Sequence, residues 1–220
     1  MNALARCGPL RDAQVSPTVR WLSLETMPTA ACFDDADAQR LGQAGIGDLG
    51  FARRAGVKGP GARGWLEALG LPTPLQPNAW LRAECGSLVA RLGLTEFAVV
   101  GVASSTAIAQ MNATLPTAGV YPVPRFDADL LLAGRHVHDL LKQTCTFDFE
   151  GLDLDTQPLV MTSMVGVGVT VLAFAGEHGP HYRVWCDGTY GAYLWDTLTE
   201  VAAGLGGGAV GFEALGPLAH

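Results

Sequence analysis

The chain is short of charge. Asp, Glu, Lys and Arg make up only 16% of it, against about 25% in an average soluble domain. Its 14 Lys and Arg are scattered and the formal net charge is −7. That balance excludes nucleic acid as a partner, because phosphate contacts need clustered basic residues. Long apolar runs are missing as well. None reaches the ~18 residues that a membrane-crossing helix requires, so no membrane association is expected. The opening Met1-Asn2-Ala3-Leu4-Ala5-Arg6-Cys7-Gly8-Pro9 lacks a basic segment followed by a long apolar one. Export is therefore not expected, and the expected location is the cytoplasm. Cys7, Cys32, Cys85, Cys145 and Cys186 include no CxxC pair. They read as reduced, mostly buried thiols rather than a disulfide set or a zinc site.

What is present is apolar. Residues of the AVILMFWYC set make up 49%, and 28 Gly are added to them, which exceeds the ~45–50% usual for apolar residues plus Gly. Either the core is unusually rich in Gly and Ala, or a substantial surface is covered by another chain, since isolated proteins rarely leave large apolar patches wet.

The 220 residues suit one large domain or two small halves sharing a core. Residues 1–45 form an Ala-rich lead-in, with a short strand at Trp21-Leu22-Ser23-Leu24 and a helix start or exposed turn at Asp34-Asp35-Ala36-Asp37. The chain then repeats itself. A strand around Ala55-Gly56-Val57 leads through Gly59 into a helix, and Leu130-Leu131-Leu132-Ala133 leads through Gly134 into another. Laying Gly59 over Gly134 places Ala62 over Val137, Trp65 over Leu140 and Leu66 over Leu141, which keeps the helical apolar pattern. Two strands follow in each half: Ser87–Leu92 and Glu96–Val100 in the first, Val165–Leu172 and His181–Cys186 in the second. Each half ends in a helical stretch. The second runs from Thr189, read as its cap, with Tyr190, Leu194, Leu198 and Val201 at helical spacing, and stops at Gly204 and Gly206-Gly207-Gly208. Thr114–Pro124 is too rich in proline for a helix and reads as an extended crossover. The expectation is an α+β fold of two pseudo-repeated ferredoxin-like units with antiparallel sheets, residues 46–118 and 119–220, forming one compact body.

No stretch carries self-sufficient chemistry. Gly59-Pro60-Gly61 and Gly206-Gly207-Gly208 lack the Lys-Ser/Thr of a phosphate loop. Gly166-Val167-Gly168 sits in a strand-like run, where glycine signals a bulge or close packing. His136 and His138 are two apart at a helix start and point to different faces, and His178 and His181 flank a turn. Ser104-Ser105 and Ser163 have no nucleophile motif around them. Cys145 follows a helix instead of opening one, so nothing in the sequence lowers its pKa. Glu150, Asp153 and Asp155 lack the spacing of a calcium loop. No catalytic residue and no metal ligand is assigned.

A resemblance then emerges. Asp48-Leu49-Gly50-Phe51, followed by a strand and Gly59-Pro60-Gly61-Ala62, resembles the opening of glycine-cleavage aminomethyltransferases, with Gly50 and Phe51 where that family has Ser and His. Lys58-Gly59-Pro60-Gly61-Ala62, Leu69-Gly70-Leu71-Pro72, Pro77-Asn78, Asp129-Leu130, Leu140-Leu141, Cys145, Tyr182-Arg183-Val184-Trp185 and Tyr193-Leu194-Trp195 are similar to the gamma subunit of heterotetrameric sarcosine oxidase, in the folate-binding aminomethyltransferase superfamily. Gly86-Ser87-Leu88-Val89-Ala90-Arg91 carries no carboxylate where the aminomethyltransferases have one.

The resemblance implies an aminomethyltransferase-like fold without the C-terminal barrel. It also implies a non-catalytic subunit of a multi-subunit flavoenzyme that oxidatively demethylates sarcosine or a related N-methyl amino acid. FAD, FMN, NAD and tetrahydrofolate would then sit on larger flavoprotein partner subunits, and none would be bound by this chain alone. Trp65, Trp80, Trp185, Tyr193 and Trp195 are the interface candidates, with core packing as their plain alternative. The other functional reading is a free-standing tetrahydrofolate-binding protein or aminomethyltransferase-like enzyme. Arg125 would then meet the folate carboxylate, unless it pairs with Asp127 or Asp129.

Overall fold

A computed structural model describes residues 6–101 and 105–219. In chain order the elements are β1 (Arg20–Leu24), β2 (Met27–Cys32), α1 (Asp37–Ala44), β3 (Gly45–Asp48), β4 (Arg54–Lys58), α2 (Ala62–Ala68), β5 (Ala79–Arg82), β6 (Leu88–Arg91), β7 (Glu96–Val100) and α3 (Ala107–Ala113). There follow β8 (Tyr121–Val123), β9 (Ala128–Ala133), α4 (Val137–Thr144), β10 (Leu159–Met164), β11 (Val167–Phe174), β12 (His181–Cys186), α5 (Gly191–Gly204), β13 (Gly208–Val210) and α6 (Phe212–Leu215).

They group into two units. The first takes the described residues up to Phe51, then Asp127–Leu154 and Met161–Ala219; the second takes Ala52–Phe126 and Asp155–Val160. The lead-in is thus not a separate segment, because α1 and β3 are built into the first unit. The extended crossover supplies β8 to the second unit, and residues 155–160 return to it, with Trp80 N–H donating to the Gln157 carbonyl and Leu159 N–H to that of Asn78.

The internal repeat is real in three dimensions. α2 starts at Ala62 and α4 at Val137, the pair that the repeat aligns. Each is entered through a glycine at φ +114°, Gly59 and Gly134, a value that L-residues rarely adopt. Each half runs strand, helix, three strands, helix. The three-strand run corrects the two-strand expectation: β5, of four residues, and β10, of six, are edge strands without a strong alternating pattern.

In the first unit the sheet order is β10-β11-β12-β9-β3-β13. The pairings are antiparallel apart from β13 on β3. Every residue of β9 is buried, so both faces of this strand are covered, as its unbroken apolar run anticipates. One face carries Leu130, Leu132, Tyr182 and Val184, and His138 of α4 reaches Tyr182 there. The other face carries Asp129, Leu131, Arg183 and Trp185. The buried Asp37 carboxylate ties the front of the unit together. It accepts from the N–H of Phe33 at 3.0 Å and of Gly211 at 2.8 Å, and pairs with Arg40.

The second unit has the order β5-β6-β7-β4-β8, all antiparallel. Val57, Val89, Phe97 and Val99 of the sheet pack with Trp65 and Leu66 of α2 and Ile108 and Met111 of α3. The whole is α+β, with no closed barrel among the described residues.

Two local expectations change. Val165 (φ 44°) and Gly166 (φ 84°) form the tight turn between β10 and β11, so Gly166 is a turn residue, not a strand bulge. The stretch before α5 is capped by Asp187, whose carboxylate accepts from the Thr189 N–H at 2.9 Å, so Asp187 and not Thr189 is the cap. The buried positions of α5 are Gly191, Leu194, Trp195, Leu198 and Ala202, with Tyr190 exposed.

Candidate functional site

Asp48, which opens the aminomethyltransferase-like motif, takes part in one local and one long-range hydrogen bond. Its carboxylate accepts from the Gly50 N–H at 2.7 Å and from Gln14 Nε2 at 2.9 Å. Phe51 stands edge-on to Phe212 with ring centroids 5.3 Å apart. In this stretch an apolar contact stands where the resemblance has a polar side chain.

The Gly86–Arg91 stretch forms the turn into β6 and the strand itself. Gly86 takes φ +83°, and the buried Ser87 hydroxyl lies 2.6 Å from that of Ser105. Cys85, exposed at the same turn, donates toward Ser87 at 3.4 Å. Burial works against its ionisation, but hydrogen bonds with Ser87 and Ser105 outweigh that and hold the thiol below its ordinary pKa. Sequence reasoning missed this thiol because Ser105 is 20 residues away along the chain. Among the described residues its hydrogen-bond partners are the Ser87 and Ser105 hydroxyls, with no histidine or carboxylate among them to serve as a base. Cys85 and Cys7 are exposed and only Cys145 and Cys186 are buried, which corrects the expectation of mostly buried thiols. Ser104 lies outside the described residues.

On the first unit's sheet the structure assembles a polar set that the sequence spreads over 54 positions. Arg183 of β12 donates through Nε and Nη2 to the Asp129 carboxylate of β9, at 2.9 and 2.6 Å. Both side chains are almost wholly buried. The two charges neutralise each other in place, which is what makes their burial tolerable. Trp185 stands directly across from Asp129 in the ladder, and its buried indole N–H has no hydrogen-bond partner among the described residues. Asp129 is therefore Arg183's partner. Arg125 lies in the second unit after β8, half-buried, its stem over Gly56, where an added Cβ would come within 3.2 Å of Cδ.

The remaining candidates fall apart in space or into the core. His136 pairs with Asp139 at 2.8 Å, while His138 meets the Tyr182 hydroxyl at 2.6 Å, so the two histidines serve different contacts. Burial, with Glu150 adding, pushes the Tyr182 phenol up to about 12. His181 stacks on Phe174 at 4.9 Å. Glu150, Asp153 and Asp155 are exposed, and Glu150 pairs with Lys142. The described residues hold no group of three or more His, Cys, Asp or Glu able to bind a metal ion. Trp65, Trp80, Trp185 and Trp195 are buried within the folded chain, and Trp195 stacks on Phe33. Of the five aromatic interface candidates only Tyr193 presents a surface, and its hydroxyl donates to the Val165 carbonyl at 3.1 Å.

No protein family and no curated protein matches the chain by sequence. Solved structures do match. Glycine cleavage system aminomethyltransferase T from Bartonella henselae is similar with a TM-score of 0.72 at 13% identity, over 96% of this chain and 60% of that one. Heterotetrameric sarcosine oxidase from Corynebacterium sp. U-96, solved in complex with pyrrole 2-carboxylate, is similar with a TM-score of 0.63 at 16% identity, over 77% of this chain and 92% of the matched one. The chain thus spans about 60% of the aminomethyltransferase it matches. What it has in common with both is an aminomethyltransferase-like α+β fold.

Proposed function

We propose that the chain is a non-catalytic subunit of a multi-subunit flavoenzyme that oxidatively demethylates sarcosine or a related N-methyl amino acid. The observation that carries this reading is the match to almost the full length of one chain of a heterotetrameric sarcosine oxidase. The disposition of polar groups supports it. Asp129 and Arg183 hold each other, Asp48 accepts from Gly50 and Gln14, and the partners of Cys85 among the described residues are serine hydroxyls. On this reading the larger flavoprotein subunits hold FAD, FMN, NAD and tetrahydrofolate, and this chain supports them. The test is to purify the tagged chain from its native cells and record native mass and an absorption spectrum. A complex far above 23.0 kDa with flavin bands is expected; a lone 23.0 kDa species without flavin overturns the reading.

A second reading has its own support, because the aminomethyltransferase match covers more of this chain at the higher TM-score. In it the chain binds tetrahydrofolate by itself, with Arg125 meeting the folate carboxylate through a charge-assisted hydrogen bond. Calorimetric titration of the lone chain separates the two. Binding on the order of micromolar that Arg125→Ala weakens favours the folate protein, and no heat favours the subunit.

A further inference from the structure

β9 lies between β12 and β3 in the first unit's sheet, so the placement of both depends on it. It reads Ala-Asp-Leu-Leu-Leu-Ala over Ala128–Ala133, and all six residues are buried. In a strand with one wet face, a slip of one residue drives apolar side chains into water, and that cost sets the register. β9 has no wet face. A one-residue slip in either direction leaves two of the three positions of Leu130, Leu131 and Leu132 filled by leucine again. Apolar patterning therefore says little about where β9 sits.

Asp129 says a great deal. Trp185 stands opposite it in the ladder, and it reaches diagonally to Arg183, which stands opposite Leu131. Arg183 donates to its carboxylate through Nε at 2.9 Å and Nη2 at 2.6 Å, with both side chains almost wholly buried. Side chains alternate along a strand, so a one-residue slip turns Asp129 to the face of Tyr182 and Val184. Arg183 is then left buried on the other face without those hydrogen bonds. Separating a buried pair is strongly unfavourable, because each charge stays out of water without its partner. The joint at Gly134 holds the other end of β9, where His136 N–H donates to the Gln43 carbonyl at 2.8 Å. A single backbone hydrogen bond is a weaker constraint than a buried charge pair.

We propose that the Asp129–Arg183 pair is a register lock: it selects one alignment of β9 where the leucines permit several. The lock also positions the aminomethyltransferase-like motif. β3 pairs Gly47 with Leu131 and Asp48 with Leu130, and Leu49 N–H donates to the Asp129 carbonyl at 2.8 Å. Where β9 sits therefore decides where Asp48 and Leu49 sit. The inference goes beyond the functional readings above and holds whether the chain is a subunit or binds folate by itself.

Asp129→Leu with Arg183→Met removes both charges, and Arg183→Lys keeps the pair charged. Each full-length chain is compared with wild type by backbone amide resonances, cross-strand amide contacts and hydrogen exchange. Wild type and Arg183→Lys are expected to show one set of resonances for β9, with position 131 opposite position 183. The double variant is expected to keep its far-UV dichroism but to split or broaden the β9 resonances. Its amide protection in β9 and β3 should fall by about tenfold or more, while that of β6 and β7 in the other unit stays within about twofold of wild type. A single set with the wild-type contacts in the double variant overturns the lock and assigns the register to the Gly134 joint. Protection lost evenly over both units overturns it too, since that is general destabilisation. So does splitting in Arg183→Lys equal to that in the double variant, which would make packing the determinant. Should the double variant misfold, Asp129→Asn with Arg183→Gln is read in its place by the same criteria.

Discussion

Tyr182 is the residue whose surroundings make the sharpest pH statement. Its ring is wholly buried between Phe149 and His138, and its phenol pKa is pushed up to about 12 by burial, with Glu150 adding to the effect. The folded state therefore holds this proton more tightly than the unfolded chain, where a tyrosine titrates near 10. The stabilisation is fully present below about pH 10 and is lost as pH rises toward about 12, a swing of about 3 kcal/mol at most. Denaturant unfolding of wild type and Tyr182→Phe should show a constant difference below about pH 10 that shifts against wild type above it. A difference independent of pH up to about 12 would mean the phenol is not shielded. His136 and His138 differ at this same scale: the sequence placed them on different faces, but not that one would meet a buried phenol.

At the scale of elements, the two strand-to-helix joints make the repeat testable. Gly59 and Gly134 share φ +114°. A Cβ at Gly59 would overlap the Gly119 carbonyl oxygen, and at Gly134 it would come to 2.5 Å from the carbonyl oxygens of Gln43 and Leu41. Both space and backbone conformation forbid a side chain. Gly59→Ala and Gly134→Ala should each lower unfolding free energy by about 2 kcal/mol or more, whereas Gly64→Ala in the interior of α2, where a Cβ meets nothing, should raise it by up to about 1 kcal/mol. Equal effects at Gly59 and Gly64 would refute the strained joint. The repeat was legible because the spacing from Gly59 and Gly134 to the apolar positions of each helix is identical. β5, β8 and β10 were not legible: β5 and β8 are short, and all three owe their conformation to the strand beside them more than to their own alternation.

For the molecule as a whole, the second unit is discontinuous in sequence. Residues 155–160 close it, through Trp80 N–H to the Gln157 carbonyl at 3.0 Å and Leu159 N–H to the Asn78 carbonyl at 2.9 Å. An excised fragment of residues 52–126 should therefore exchange its Trp80 amide far faster than the full chain does, by about tenfold or more. Equal protection would show that the return segment contributes nothing to the unit. The scarcity of charge belongs to this scale too: four of the five tryptophans are buried within the folded chain, so a large part of the apolar excess is spent on the core.

The sequence by itself determined the α+β class, the antiparallel repeat and the lack of any local catalytic motif, because these depend on spacing along the chain and on turn chemistry. It also carried the aminomethyltransferase-like resemblance that the solved structures match in fold. Only the tertiary structure decided which polar groups meet. Asp129 and Arg183 lie on neighbouring strands, Ser87 and Ser105 on separate elements, and Asp37 reaches Gly211. Such contacts join residues far apart along the chain, and a buried charge or hydroxyl takes whichever partner the fold brings within hydrogen-bond distance.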